Sequence, residues 1–433
     1  MPKQLNIQLL MTGNEVMSGD TIDTNSAHIA QVLGANGLTI TRRVTVNDDI
    51  NHLLSELSDM ARTADIVIMN GGLGPTIDDL TAEVLARLAD EPLVIHPEAE
   101  AQLLAWCERR GQRPNEANLK QRLLPRGAQI IPNARGSAPG IDITVGDTRL
   151  FATPGVPSEM RDMLPLIIER IESQWGARAH ANVMRLHTFG LGESNAQQLI
   201  NSSGFEWPKS VELGFRASAP TMEIKLTVAD TKDLPEQQSC ADHIATLFGD
   251  HILGVGETSI GQSMVELLSE RGITLTTAES CTGGLIASLI TQIPGSSKAF
   301  HAGFVTYDNA IKSSVLGVRQ SDLDQYGAVS KTVVEQMALG ALRASNADYA
   351  IAVSGIAGPD GGTIEKPLGR VWIAYGSSSD LRTIELTWPL PRVLFQTMVA
   401  AAALDLLRRH ILELPPHCLY IQQRQNQPQK IDS

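Results

Sequence analysis

Ile66-Val67-Ile68-Met69-Asn70-Gly71-Gly72-Leu73-Gly74-Pro75-Thr76-Ile77-Asp78-Asp79-Leu80-Thr81 decides the fold class. Its first four residues are apolar without alternation, the pattern of a parallel strand covered on both faces. Glycines end that strand, and the spacing predicts a helix beginning near Asp78 or Asp79. Working back, residues 5–11 read as a strand, and Asp23-Thr24-Asn25-Ser26 offers N-cap chemistry for a helix. Residues 38–46 read as a second strand and 50–61 as a second helix. The regular alternation of strand and helix predicts an α/β sandwich.

In an open α/β sheet, ligands bind outside the carboxyl ends of the strands. Gly71, Gly72 and Gly74 would offer backbone N–H groups to a phosphate at such an end, with Thr76 beside them. Asp78 and Asp79 stand where a hard cation would bridge to that phosphate. The plainer reading is a tight turn followed by helix-capping aspartates. The loop lacks the Gly-Lys-Ser/Thr ending of a Walker A motif and is not Gly-x-Gly-x-x-Gly. Asn118, Lys120 and Gln121, in Asn115-Glu116-Ala117-Asn118-Leu119-Lys120-Gln121, are further candidates for a ligand's polar groups; the alternative is a solvated helix face. Residues 150–152 form a short strand running into Thr153-Pro154-Gly155-Val156-Pro157-Ser158-Glu159, which would complete the same crevice.

The chain has 433 residues, enough for two to four domains that each bury a core. A net charge of −13 argues against a general nucleic-acid binder, which needs clustered Lys and Arg. The four cysteines, Cys107, Cys240, Cys281 and Cys418, form no CxxC pair, so neither a zinc knuckle nor a disulfide framework is indicated. No apolar run is long enough to span a bilayer, and Met1-Pro2-Lys3-Gln4-Leu5 lacks signal-peptide character. A cytoplasmic protein with no membrane partner is expected.

Residues 183–252 read as β-α-β-β-α, a small α+β unit. Beyond a glycine-containing connection at 253–259 and a helix at 260–271 comes Thr276-Thr277-Ala278-Glu279-Ser280-Cys281-Thr282-Gly283-Gly284. It lies between a β-like run (273–277) and an apolar helical pattern (285–290). A serine at such a corner is held above the sheet beside free helix N–H groups, which bind a phosphate or an oxyanion. The Gly283-Gly284 pair permits close approach of a ligand. The alternative for Ser280 is a helix-capping role alone, and for Cys281 a small buried residue. Downstream, Tyr307 ends a strand (302–306) and Lys312 lies one turn inside a helix (309–316), so Ser, Tyr and Lys together suggest an activated nucleophile. A third glycine-rich strand end follows residues 349–353, with Ser354, Gly355 and Gly358. Residues from 415 are rich in Gln and Pro and are expected to be disordered.

Three motif sets carry a resemblance to the CinA family. Thr12-Gly13-Asn14-Glu15, Asp23-Thr24-Asn25, residues 70–81 and Thr153-Pro154-Gly155-Val156-Pro157 resemble its amino-terminal domain, which has a molybdopterin-binding-like fold. The resemblance implies a metal-dependent ADP-ribose pyrophosphatase using Co²⁺ or Mg²⁺ at Asp78 and Asp79. Substrate contacts would come from Thr12, Gly13, Asn14, Glu15, Asp23, Asn25, Gly71, Gly72, Gly74, Thr76, Asn118, Lys120, Pro154 and Gly155. Glu15 is the expected general base and Asp23 its rival. The middle unit is similar to the family's KH-like linker, but Gly190-Leu191-Gly192-Glu193 supplies no Gly-x-x-Gly loop for nucleic acid, so a spacer and dimerisation role is expected.

The Ser280 stretch, Tyr307, Lys312, Ser354 to Gly362 and Lys366-Pro367-Leu368-Gly369 resemble the carboxyl-terminal domain, which implies deamidation of nicotinamide mononucleotide. Ser280 would be the nucleophile, activated by Tyr307 and Lys312, with no cofactor. N–H groups of Cys281, Thr282 and Gly283 are the candidate oxyanion donors, and Gly284, Ser354, Gly355, Gly358 and Arg392 further substrate contacts. One departure stands out. Where family members carry a Gly-Asp-Arg segment, this chain has Trp388-Pro389-Leu390-Pro391-Arg392-Val393, leaving only Arg392. The expected domains are residues 1–175, 180–252 and 256–414, with a tail at 415–433. The expected function is a bifunctional hydrolase acting on small phosphorylated nucleotides, as a homodimer. Two alternatives remain: an active pyrophosphatase with a vestigial amidase, or a non-catalytic competence or recombination partner.

Overall fold

The computed structural model describes residues 4–176 and 182–425. Its contacts fall into two units, one running to Asn182 and taking in Ala229–Lys232, the other beginning at Val183.

The first unit is built on a six-stranded sheet. Its spatial order is Ile40–Val46, Ile7–Thr12, Ile66–Asn70, Thr148–Thr153, Gly140–Val145 and Gln129–Ile131. The first four strands are parallel, and the last two pair antiparallel. Every residue of Ile7–Thr12 and Ile66–Asn70 is buried, as an uninterrupted apolar run requires. Helices Asn25–Ala35 and Pro157–Trp175 cover one face through Ile29, Leu33, Met163 and Ile167. Helices Ile50–Thr63 and Thr81–Leu88 cover the other through Leu53, Leu57, Val84 and Leu85. Because the chain leaves Ile7–Thr12 first to one side and then returns to the other, the strand order reverses there, and a crevice opens at the carboxyl ends.

The fourth helix starts at Thr81 rather than at Asp78 or Asp79. Asp79 first closes the glycine turn on itself: Gly74 N donates to its Oδ1 (2.8 Å) and Thr76 N to its Oδ2 (2.7 Å). Gly71 has φ +112°, and a Cβ there would lie 2.5 Å from the Thr12 carbonyl oxygen, so only glycine fits.

The second unit holds two sheets. A four-stranded sheet, ordered Val211–Ser218, Thr221–Val228, Asn182–Phe189 and Ile252–Val255, packs against helices Glu193–Ser202 and Leu234–Phe248. Its last strand lies in part of what reads in sequence as a loop. A five-stranded sheet follows, ordered Phe300–Val305, Leu275–Glu279, Tyr349–Gly355, Arg370–Gly376 and Leu381–Thr387. The first three strands are parallel and the rest antiparallel. Helices Ile260–Arg271, Leu285–Thr291 and Arg392–Ile411 pack on one face, and Lys331–Ser345 on the other against small residues, Ala278, Ala350, Ala352 and Ala374. The strand order again reverses at Leu275–Glu279, which places a second crevice beside Ser280.

The expected disordered tail is corrected in part. Leu419–Gln425 is a helix, and Cys418 and Ile421 are buried among Phe189 and other core residues. The polar residues around them hide these apolar anchors. Residues 426–433 lie outside the described residues.

A buried ion cluster joins the closing helix to the smaller sheet's domain. Asp405 accepts from Arg408 Nη2 (2.7 Å) and Arg409 Nε (2.6 Å), and Arg409 Nη1 also donates to Asp250 Oδ2 (2.5 Å). Removing one partner of such a set strands a buried charge, at a cost of about 3 kcal/mol. Asp405→Ala is therefore expected to lower the denaturant midpoint with an unchanged m-value. An unchanged midpoint would show that the cluster contributes nothing.

Candidate active sites at two strand-end cavities

The first cavity, of about 380 Å³, lies at the ends of Ile7–Thr12, Ile66–Asn70 and Thr148–Thr153. Thr12, Gly13, Glu15, Gly71, Gly72, Gly74, Thr76, Asp78, Asp79, Pro154 and Gly155 line it, as the strand ends predict. Five candidates do not line it. Asn25 Nδ2 donates to Asn70 Oδ1 (3.0 Å) and the Gly155 carbonyl (2.7 Å), so this buried amide braces two strand ends. Asp23 lies outside the lining, and its Oδ1 accepts from Ser26 N (2.9 Å) in the first turn of the helix. Asn14 N donates to Asp48 Oδ2 (2.9 Å), and Asn118 N to Asn115 Oδ1 (2.8 Å). Lys120 Nζ donates to the carbonyls of Thr76 (2.8 Å) and Asp79 (2.6 Å), so it holds the glycine turn from behind.

The two aspartates separate. Asp79 lines the cavity but accepts from three loop donors, Gly74 N, Thr76 N and the Thr76 hydroxyl, which makes it a brace of the turn and leaves Asp78 the freer carboxylate. Asp78 is exposed, and the Thr76 hydroxyl beside it, its own N–H and nearby Lys120 hold its carboxyl below the usual carboxylate range. Mg²⁺ is commonly held by one or two carboxylates together with substrate phosphates. Among the described residues no three His, Cys, Asp or Glu side chains converge on a point. The residues therefore fit an ion that arrives with its diphosphate, through Asp78. Gln121 and Glu159, which the sequence places at this crevice, also line it, with Glu159 accepting from Asn133 Nδ2 (2.8 Å); Asp48, which accepts from Thr12 Oγ1 (2.6 Å), Ser137 and Ala138 are wall residues that escape sequence reading.

The second cavity, of about 200 Å³, gathers Ser280, Cys281, Tyr307, Lys312, Ser354, Gly355 and Arg392, with Asn309 as a residue the sequence did not single out. Ser280 is 9% exposed, and its hydroxyl makes no hydrogen bond among the described residues. Lys312 is only 1% exposed. Its Nζ donates to the carbonyls of Thr306 (2.8 Å) and Tyr307 (3.1 Å). Burial lowers its pKa, against the opposing pull of Asp308 and Cys281. Tyr307 is 61% exposed, and its hydroxyl accepts from Arg392 Nη2 (3.0 Å) rather than bonding Ser280 or Lys312. Arg392 Nη1 donates to the Gly358 carbonyl (2.7 Å), so Gly358 supports the wall from outside. Ser354 Oγ donates to the Ala328 carbonyl (2.8 Å).

The helix N–H groups expected to be free beside Ser280 are taken. Gly284 N (3.0 Å) and Ile286 N (3.1 Å) donate to Glu279 Oε2, and Ala287 N (2.8 Å) donates to Oε1. The Thr282 hydroxyl donates to Oε2 as well (2.7 Å). Gly283 N donates to the Ser280 carbonyl (3.1 Å), which removes it from the oxyanion candidates. The N–H groups of Cys281 and Thr282 bond no oxygen among the described residues. Thr282, Gly283 and Gly284 form the turn without lining the cavity. Cys281 is a thiol pushed up to about 12, mainly by burial.

The fold and these cavities define a multidomain α/β protein with a polar, strand-end site in each of two sheets. Its residues 8–173 match the probable molybdopterin binding domain family, and residues 257–411 match the CinA C-terminal domain. A CinA-like protein of Colwellia psychrerythraea is 46% identical over 96% of this chain and 98% of its own. The nicotinamide-nucleotide amidohydrolase PncC of Shewanella oneidensis is 38% identical over 94% of this chain and 96% of its own. Among solved structures, competence/damage inducible protein CihA from Agrobacterium tumefaciens is similar, with 40% identity, 34% of this chain and 92% of that chain covered, and a TM-score of 0.34. The chain belongs to the CinA family. Among the described residues no helix is long and apolar enough to cross a membrane.

Proposed function

We propose that this protein is a hydrolase that deamidates nicotinamide mononucleotide at the Ser280 cavity and cleaves ADP-ribose at the glycine-turn crevice. The observation that carries the first reaction is the placing of Lys312. A neutral lysine amine has two N–H donors and one lone pair. The Thr306 and Tyr307 carbonyls take the two donors, which leaves one lone pair to accept a proton in the cavity that Ser280 also lines. The relative named as a nicotinamide-nucleotide amidohydrolase supports the choice of substrate.

In this mechanism Ser280 Oγ attacks the carboxamide carbon as Lys312 takes its proton. The developing oxyanion meets the N–H group of Cys281, which lines the cavity with Ser280. Lys312 then returns the proton to the nitrogen, the C–N bond breaks, and ammonia leaves. Water attacks the acyl ester, gives a proton to Lys312, and frees the acid as Ser280 is reprotonated. Arg392 is the cavity's exposed cation and suits the substrate phosphate, and Tyr307 orients it. Ammonia release by the purified chain tests this reading, and none above background would refute it.

At the other crevice, the glycine-turn backbone would bind the diphosphate and Asp78 would hold a divalent ion. That ion neutralises phosphate charge and lowers the pKa of water. Glu15 remains the proposed base, with Lys120 and Asp79 fixing the turn. Asp78→Asn is expected to cut AMP release from ADP-ribose by about 10²-fold, partly restored by raised metal, and to leave ammonia release unchanged. Equal AMP release by both chains would remove Asp78 from this role.

A further inference from the structure

Glu279 is the most deeply buried charged group near either site. It is 0% exposed at the end of Leu275–Glu279, between two neighbouring parallel strands. Among the described residues it has no cationic partner within ion-pair distance. A buried carboxylate is tolerated only when hydrogen bonds replace its water. Here four donors do so, three of them backbone N–H groups of the turn and following helix.

We infer that Glu279 is a positioning residue for amide cleavage, which, by binding the turn from beneath, fixes the N–H group of Cys281, the turn residue that lines the cavity beside Ser280, on the reacting carbonyl. This rests on the proposed amidase reading. Within the turn, Gly283 N donates to the Ser280 carbonyl (3.1 Å) and Leu285 N to the Thr282 carbonyl (3.2 Å), and two more bonds tie it to its surroundings. Ser280 N donates to the Val353 carbonyl (3.1 Å), and Gln396 Nε2 donates to the Cys281 carbonyl (2.8 Å). Gly284 has φ +98°, a conformation the chain adopts at low cost only with glycine, so the turn's shape is set by its bonds rather than by side-chain bulk. Three of the N–H groups that would otherwise compete for an anion are committed to Glu279. The N–H of Cys281, at the cavity wall, remains for the oxyanion. The same negative charge adds to burial in keeping Cys281 a thiol, which leaves Ser280 as the nucleophile.

Glutamine at 279 keeps the volume but offers one carbonyl oxygen, and it turns an NH₂ towards backbone donors. In the full chain, Glu279→Gln is expected to lower kcat for ammonia release by about 10²-fold, the cost of misplacing an oxyanion donor, with KM within threefold. Phosphonylation of Ser280 by a fluorophosphonate, followed by mass spectrometry, should slow by a similar factor. That reaction needs the same oxyanion donor and does not depend on the natural substrate. Thr282→Val removes one of the four bonds and keeps the carboxylate, and should lose less than tenfold. The inference is overturned by a Glu279→Gln chain with kcat near that of the parent, by a KM that rises in step with the loss, or by Thr282→Val proving as damaging. It also fails if folded parent chain shows no Ser280 labelling. Labelling without ammonia release would instead sink the choice of substrate and leave the positioning role standing.

Discussion

Replacing Ser280 by alanine is expected to lower ammonia release from nicotinamide mononucleotide on the order of 10⁴-fold or more, because the covalent route is lost entirely. Binding and the oxyanion donor would survive, so KM should move little and a small residual rate should remain. The fold has little to lose. The Ser280 hydroxyl has no hydrogen-bond partner among the described residues, and its backbone bond to Val353 is kept by any residue but proline. A change in unfolding free energy within about 1 kcal/mol is expected. Cys281 will not substitute for the missing hydroxyl, since a thiol pushed up to about 12 holds almost no thiolate at neutral pH. AMP release from ADP-ribose should be untouched, because the glycine-turn crevice uses none of these residues. Undiminished ammonia release by the Ser280→Ala chain would rule Ser280 out as the nucleophile.

How much of this was legible in the sequence depends on whether a feature is local. Residues 66–69 predict a doubly covered strand because four consecutive apolar residues suit no half-exposed one, and the structure buries all of them. The crevice at the glycine turn follows from that strand's direction. Asp79 and Lys120 were read as reaching a ligand because acidic and basic residues beside a glycine turn commonly do. Their actual partners are turn atoms: Gly74 N and Thr76 N for Asp79, and the Thr76 and Asp79 carbonyls for Lys120. Asp79 and the donors it accepts are within five residues, yet no spacing rule tells a loop brace from a ligand contact.

Glu279 was illegible for a different reason. A glutamate beside a serine and a Gly-Gly pair invites a chemical role facing the ligand. Its burial is a property of the sheet, which places this strand end between Phe300–Val305 and Tyr349–Gly355. Arg392 shows the converse. The departure from the family's Gly-Asp-Arg segment is visible in the sequence, but only the fold brings that residue to Tyr307, 85 positions away. The tail was misread because composition averages over residues, while Cys418, Leu419, Tyr420 and Ile421, four consecutive side chains, pack into the cores and anchor the helix of seven.

Lys312→Met is expected to reduce ammonia release towards the upper end of the general-base range, about 10⁴-fold, and to remove the acid limb of the pH–rate profile. Catalysis needs the neutral amine, so the parent rate should rise with pH through the lowered Lys312 pKa and level off above it. Lys312→Arg should not rescue, since a guanidinium stays protonated throughout. Stability carries the same signature with a definite sign. The folded pKa lies below the ordinary lysine value of 10.5, so between the two the unfolded chain holds a proton that the folded chain lacks. Stability therefore rises with pH across that window and becomes flat above it. The methionine chain should lack this rise, so the stability difference between parent and variant should grow with pH across the same window. The variant loses the bonds to the Thr306 and Tyr307 carbonyls but also loses a buried charge, and the two changes oppose each other. Rate and stability thus respond to one proton at one buried nitrogen. If the methionine chain keeps the parent's acid limb in both measurements, the titrating group is not Lys312, and another base must accept the Ser280 proton.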